Sequence, residues 1–174
     1  MPGSCAQTRR GRLSILGVPL DAFDLATVRA EVQRFLTDPW DGHCRHIVTL
    51  NPEYVMAARR DDDFAAGIGT ADLITADGVG VLVAARMLGG SRAAHIARVT
   101  GGDFVNWLAE ESRPLSAPLF LLGGREGVAD AATMTLLERH AGARIVGSWS
   151  GGTAAPVHDE ETLSRIRASG ARVV

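Results

Sequence analysis

The chain has 174 residues, 46% of them hydrophobic and 22% charged, with a formal net charge of -2. That balance describes a globular domain with a real core, one that buries roughly 70% of the surface its unfolded chain exposes. A weakly negative chain has no broad attraction for nucleic acid. All 18 basic residues are arginine, which excludes a Walker A loop, a Schiff-base lysine and a kinase-type strand lysine within these residues.

Residues 1–12 carry Cys5, Arg9, Arg10 and Arg12 and read as a flexible leader to a domain spanning 13–174. No apolar signal core follows. The stretch from Leu13 to Leu20 is short and interrupted by Gly17 and Pro19, so neither a signal peptide nor a transmembrane span is read. Two cysteines, Cys5 and Cys44, make no disulfide framework and read as free thiols in a reducing compartment.

Leu13 to Val18 reads as a first strand. Leu25 to Leu36 is an amphipathic helix capped by Asp24, with Leu25, Val28, Val32, Phe35 and Leu36 on one face. Arg45 to Leu50 is a buried-type strand. Asn51 then caps a helix that has Pro52 at its first position. A short helix around Asp62 to Ile68 precedes a strand from Asp72 to Thr75.

That strand runs into Ala76-Asp77-Gly78-Val79-Gly80 and an apolar helix stopped by Gly89-Gly90. Residues Arg92 to Val99 read as loop. Thr100 caps a helix from Gly101 to about Ser112, with Phe104, Trp107 and Leu108 inward. Pro118 to Leu122 is a strand opening into Gly123-Gly124-Arg125-Glu126-Gly127 and a helix to about His140. Ala143 to Ser148 is a strand, Asp159 to Ala168 a polar helix, and Ala171 to Val174 the beginning of a further strand. A strand that stops partway leaves backbone groups needing partners, so the chain reads as C-terminally truncated. The alternation of strands and helices predicts an α/β domain, Rossmann-like, with a largely parallel central sheet and flanking helices.

In such sheets ligands bind beyond the carboxyl ends of the strands. Thr49 and Asn51, Asp77, and Gly123 and Gly124 all follow strand ends. The glycine pair lets the backbone approach an anion at a helix start, which suits a pyrophosphate; an ordinary tight turn would have the same residues. The spacing is not that of a nicotinamide fingerprint. Asp77, between Ala76 and Gly78, suits a general base on an acceptor hydroxyl, and equally a helix cap. Thr49 and Asn51 suit ligand contacts or strand-end and capping bonds. Arg98 could offer its planar fork of donors to a phosphate, or simply be a surface arginine. His43, Cys44 and His46 lack further converging ligands, so no metal site is read.

Taken together, these stretches resemble the WecG/TagA/CpsF glycosyltransferase family (glycosyltransferase family 26). The matching segments are Ile15-Leu16-Gly17-Val18-Pro19, Val48-Thr49-Leu50-Asn51-Pro52-Glu53, Thr75-Ala76-Asp77-Gly78-Val79-Gly80, Arg98-Val99-Thr100-Gly101, Phe120-Leu121-Leu122-Gly123-Gly124 and Ile145-Val146-Gly147. The resemblance implies an inverting, metal-independent and cofactor-free hexosyl or N-acetylhexosaminyl transfer. The donor would be a UDP-sugar, such as UDP-N-acetylmannosamine or a UDP-hexose. The acceptor would be a sugar on polyprenyl diphosphate, in surface polysaccharide or teichoic-acid-type synthesis.

By the same resemblance Asp77 is the catalytic base. Thr49, Asn51 and Arg98 bind substrate, and Gly123 and Gly124 lie near the nucleotide. Family members continue with another strand, a Pro-Lys-Gln-Glu-type motif and an appendage that helps membrane association. A cytoplasmic protein is therefore expected, peripheral to the membrane through that missing region, with homo-oligomerisation left open. The competing readings are a nucleotide-sugar-binding fragment without catalysis, and a dinucleotide-dependent oxidoreductase.

Overall fold

The computed structural model describes residues 12–151 and 156–174. The leader, apart from Arg12, lies outside the described residues, and with it Cys5, Arg9 and Arg10. The described chain divides after Gly101 into two compact units.

The first unit opens with a hairpin rather than the single strand expected over Leu13 to Val18. Strand β1 (Arg12–Ile15) pairs antiparallel with β2 (Val18–Asp21), Ile15 opposite Val18. Only Leu16 and Gly17 connect them, with φ of 51° and 91°. Two consecutive left-handed residues make the primed turn that matches the twist of a tight hairpin. Gly17 adopts that conformation freely, whereas Leu16 does so against its Cβ. A Leu-Gly loop lacks the usual turn chemistry, which is why the sequence reads as one interrupted strand.

Helix α1 (Leu25–Thr37) begins where expected, the Asp24 carboxylate accepting the Thr27 N–H at 2.7 Å. Its buried stripe is narrower than the periodicity suggests. Val28 and Val32 are buried, Phe35 and Leu36 half-buried, and Leu25 exposed. Strand β3 (Ile47–Leu50) and strand β4 (Leu73–Ala76) pair in parallel with Thr49 opposite Thr75 and Leu50 opposite Ala76. Between them run α2 (Pro52–Ala58) and α3 (Asp62–Gly69). Tyr54 of α2 meets Phe64 of α3 edge to face at 5.5 Å. Helix α4 (Val79–Gly89) and a short 3-10 turn at Gly90–Ala93 follow. The segment read as loop then returns to β4, where Arg98 forms a parallel bridge with Ala76.

Leu20, Leu50, Leu73 and Ile74 are completely or almost completely buried in this unit. Each such side chain contributes about 1.5–3 kcal/mol on leaving water. One charged group goes in with them. Asp21, at the end of β2, is 3% exposed. Its carboxylate accepts from the Arg12 guanidinium at 3.0 and 3.3 Å, and from the backbone N–H of Ile74 at 2.8 Å. Arg12 also donates to the carbonyl of Ala71 at 2.6 Å. A second carboxylate, Asp72, accepts the His46 N–H at 2.9 Å and the His43 ring at 3.1 Å. Burial pushes the Asp72 carboxyl up, but the His46 N–H, the His43 ring and Arg45 outweigh it, holding the group below the usual carboxylate value.

The second unit takes up nearly all of α5 (Gly101–Glu111), with Trp107 and Leu108 buried as expected and Phe104 half-buried. It continues through β5 (Leu119–Leu122), α6 (Val128–Arg139), β6 (Ile145–Trp149) and α7 (Pro156–Ser169). Strands β5 and β6 are parallel. An irregularity sets Leu119 opposite Ile145 but Phe120 opposite Gly147. A Cβ on Gly147 would stand 2.7 Å from the Phe120 ring, so glycine there makes the room the ring occupies. Val173 joins the other side of β5, its carbonyl accepting the Phe120 N–H at 2.8 Å.

The strands are thus mixed with helices and largely parallel, as an α/β fold requires. Among the described residues, however, the strands form three two-stranded sheets, one of them antiparallel, rather than one continuous Rossmann-like sheet. The third strand beside each parallel pair supplies a single bridge, at Arg98 and at Val173.

Removing the Asp21 carboxylate leaves Arg12 without its charge partner and Ile74 without its acceptor. Asp21→Ala is expected to cost about 3 kcal/mol or more in urea unfolding. Leu16→Asn should raise stability by about 0.5–1 kcal/mol, because Asn accepts the left-handed conformation and the leucine side chain it replaces is exposed.

Candidate functional site at the carboxyl ends of the parallel strands

The parallel register of β3 and β4 decides what meets at their carboxyl ends. With Leu50 opposite Ala76, the next residues on each strand, Asn51 and Asp77, leave the sheet at the same level. The Asp77 N–H donates to the Leu50 carbonyl at 2.8 Å. Arg98 arrives at this edge through its bridge to Ala76, and the following Val99 N–H donates to the Ala76 carbonyl at 2.8 Å. Thr49, the residue before Leu50, lies one step inside the edge. Four of the six residues singled out from sequence therefore gather at one end of the first unit.

Asn51 does what a capping residue does: its side-chain oxygen accepts the Tyr54 N–H at 2.8 Å, with Pro52 at the first helical position. Its amide nitrogen is the remaining polar group of that side chain. Asp77 does not cap the helix that follows it. The N-cap of α4 is Gly78, at φ 92° and with no side-chain bond. The Asp77 carboxylate instead accepts the backbone N–H of Gly101 at 3.2 Å. That N–H stands at a helix start and has no partner within the helix. Asp77 is half-buried and Arg98 exposed.

Three glycines line these approaches. A Cβ on Gly78 would lie 3.4 Å from the Pro52 ring, one on Gly80 3.3 Å from it, and one on Gly101 3.4 Å from Thr49 Oγ1. The chain after Asp77 is thus held close over the start of α2. Gly101 is the neighbour that sequence reasoning did not single out as a partner of Asp77. Its signal was the Thr-Gly-Gly run at a helix start, read only as a cap. Thr75, opposite Thr49, is 2% exposed, and its hydroxyl has no hydrogen-bond partner.

Gly123 and Gly124 belong to the second unit. They follow β5 with φ of 113° and 82°, and Gly127 before α6 is also left-handed at 80°. The Gly123 N–H donates to the Trp149 carbonyl at 2.9 Å, tying the turn to the end of β6. Trp149 was outside the strand read from sequence. The Arg165 guanidinium covers its ring at 3.8 Å, and its indole N–H is buried without a partner.

Polar side chains at the carboxyl ends of parallel strands stand where α/β folds place ligand sites. Residues 13–174 match the model of the glycosyl transferase WecG/TagA/CpsF family. The match covers nearly the whole chain, and the protein belongs to this family of glycosyltransferases.

The two glycines of the turn are required for different reasons. A Cβ on Gly123 meets nothing within 4 Å, whereas one on Gly124 would stand 3.0 Å from Val128 Cγ1. Gly123→Ala should therefore cost about 1–2 kcal/mol for its left-handed backbone alone, and Gly124→Ala more. Adding Val128→Ala should relieve only part of the Gly124→Ala penalty, because the Cβ of residue 128 stays, 3.1 Å from the new methyl. Chemical denaturation of the four proteins checks this.

Proposed function

We propose that the protein transfers a hexosyl or N-acetylhexosaminyl group from a UDP-sugar to a sugar carried on polyprenyl diphosphate. The family match over residues 13–174 carries the reading. The grouping of Thr49, Asn51, Asp77 and Arg98 at one strand edge supports it.

In this reading Asp77 takes the proton of the acceptor hydroxyl as that oxygen attacks the anomeric carbon. The bond to UDP breaks with inversion. Carboxylates suit the task because they accept a proton in line with a forming bond. Here the Gly101 N–H fixes the rotation of the carboxylate. The exposed guanidinium of Arg98 is assigned to the diphosphate, whose negative charge grows as UDP departs. Thr49 and Asn51 are assigned to sugar hydroxyls. In the proposed chemistry these residues act by positioning and charge. Among the described residues no helix is long and apolar enough to cross a membrane.

Asp77→Asn keeps an oxygen for the Gly101 N–H and removes the base. Turnover of UDP-sugar with a polyprenyl-diphosphate acceptor is expected to fall by about 10²–10⁴ or beyond detection, with UDP affinity by calorimetry within about tenfold of the parent. Normal turnover by the Asn variant would leave Asp77 a purely structural acceptor.

A further inference from the structure

Thr75 stands on β4 two residues before Asp77. It is 2% exposed, and its hydroxyl has no hydrogen-bond partner. Leu73, Ile74 and Ala76 around it on the strand are as deeply buried. A hydroxyl in such a place bears the full cost of leaving water and gains no bond in return. Valine has the same branched shape, suits a strand at least as well and carries no such cost. The hydroxyl therefore weakens the free protein. A buried group left in that condition calls for a state of the molecule that satisfies it.

Register limits the partner. Paired residues of neighbouring strands share a face of the sheet, so Thr49 of β3 lies beside Thr75, about 4.8 Å away across the pair. Asp77 follows on the same face of β4, but about 6.5 Å along the strand, too far for a direct bond. Its carboxylate already accepts the Gly101 N–H at 3.2 Å. Thr49 is half-buried, and its Oγ1 stands 3.4 Å from where a Cβ on Gly101 would be. The Thr49 hydroxyl thus lies beside a residue that β4 holds through Asp77. A turn of one staggered well about χ1 of Thr75 exchanges its hydroxyl with its methyl, groups of similar size, and re-aims the O–H.

We propose that Thr75 is a positioning residue that acts through Thr49. When the donor sugar is bound, the Thr75 hydroxyl donates to Thr49 Oγ1, and the Thr49 O–H donates to an oxygen of that sugar. A hydroxyl that accepts one bond donates the next more strongly, so the pair presents the sugar with a donor of fixed sense. Thr75 itself stays beneath the site and does not touch the ligand. The proposal rests on the transferase reading, in which Thr49 is assigned to sugar hydroxyls, and extends it to a buried residue with no role of its own there.

Four variants of the 174-residue protein test it: Thr75→Val, Thr75→Ser, Thr49→Val and the double variant Thr49→Val, Thr75→Val. Calorimetry measures their binding of UDP and of a UDP-sugar, whichever of UDP-N-acetylmannosamine and UDP-glucose the parent binds more tightly. Thr75→Val is expected to unfold in urea at the parent's midpoint or higher, and to bind UDP as the parent does. It should bind the UDP-sugar about three- to tenfold more weakly. Thr75→Ser keeps the hydroxyl and should bind the UDP-sugar within about twofold of the parent. In the Thr49→Val background the second change should add nothing, because the residue through which Thr75 acts is gone. A lowered urea midpoint for Thr75→Val means that the hydroxyl already has a partner in the free protein, and overturns the proposal. So does UDP-sugar affinity equal to the parent's in Thr75→Val, or a further loss in the double variant. A parent that binds neither UDP nor either UDP-sugar removes the transferase reading and this proposal with it. A parent that transfers sugar, with Thr75→Val matching its affinity, removes this proposal alone.

Discussion

The Asp21 carboxylate is the point on which the first unit depends. It carries charge into a core otherwise built from leucine, isoleucine, valine and alanine, and such a group is tolerated only when paired and fully hydrogen-bonded. Arg12 supplies the charge, and Ile74 supplies a backbone N–H on β4. The second donor group of Arg12 reaches the Ala71 carbonyl just before that strand. Arg12 and Asp21 on the hairpin are thereby linked, as one ion pair, to Ile74 on β4 and to Ala71 just before it. Apolar packing tolerates sliding, but this arrangement of donors and acceptor does not. It therefore specifies where the hairpin sits along β4.

The same strand delivers Asp77. Its position follows from the parallel pairing of β4 with β3, and the pairing is continued past the last named residue by the Asp77 N–H on the Leu50 carbonyl. The carboxylate is then oriented by the Gly101 N–H. Backbone bonds hold the residue on one side, and a helix-start N–H holds its side chain on the other. Few rotational choices are left to the group assigned the role of base. Preorganisation of this kind is what lets a single carboxylate matter to a transfer reaction. Gly80 serves the same end by omission, since a Cβ there would come within 3.3 Å of the Pro52 ring.

Much of this was legible in the amino acids. Asp24 and Asn51-Pro52 announce helix starts because short oxygen-bearing side chains satisfy backbone N–H groups locally, and Asp24 and Asn51 do so in the structure. Leu119–Leu122 is recognisable because a short apolar run before a glycine cluster has few other uses. The hairpin was not legible, since Leu16 adopts a backbone conformation its side chain disfavours. The Arg98 bridge was not legible either. A single pairing to a strand more than twenty residues away leaves no local periodicity. The run Val79 to Leu88 read as an apolar helix, but which of its faces is open to solvent was not legible.

Helix caps, strand-forming runs, the absence of lysine and the family motifs reside in the chain itself, because each depends on residues within a few positions of one another. Only the tertiary structure decided that Asp77 serves Gly101 and not its own helix, and that Arg98 returns to Ala76. It also decided that the strands among the described residues divide into three short sheets. These outcomes depend on register and on contacts between distant segments, where several arrangements satisfy the same local preferences and a few buried hydrogen bonds select one.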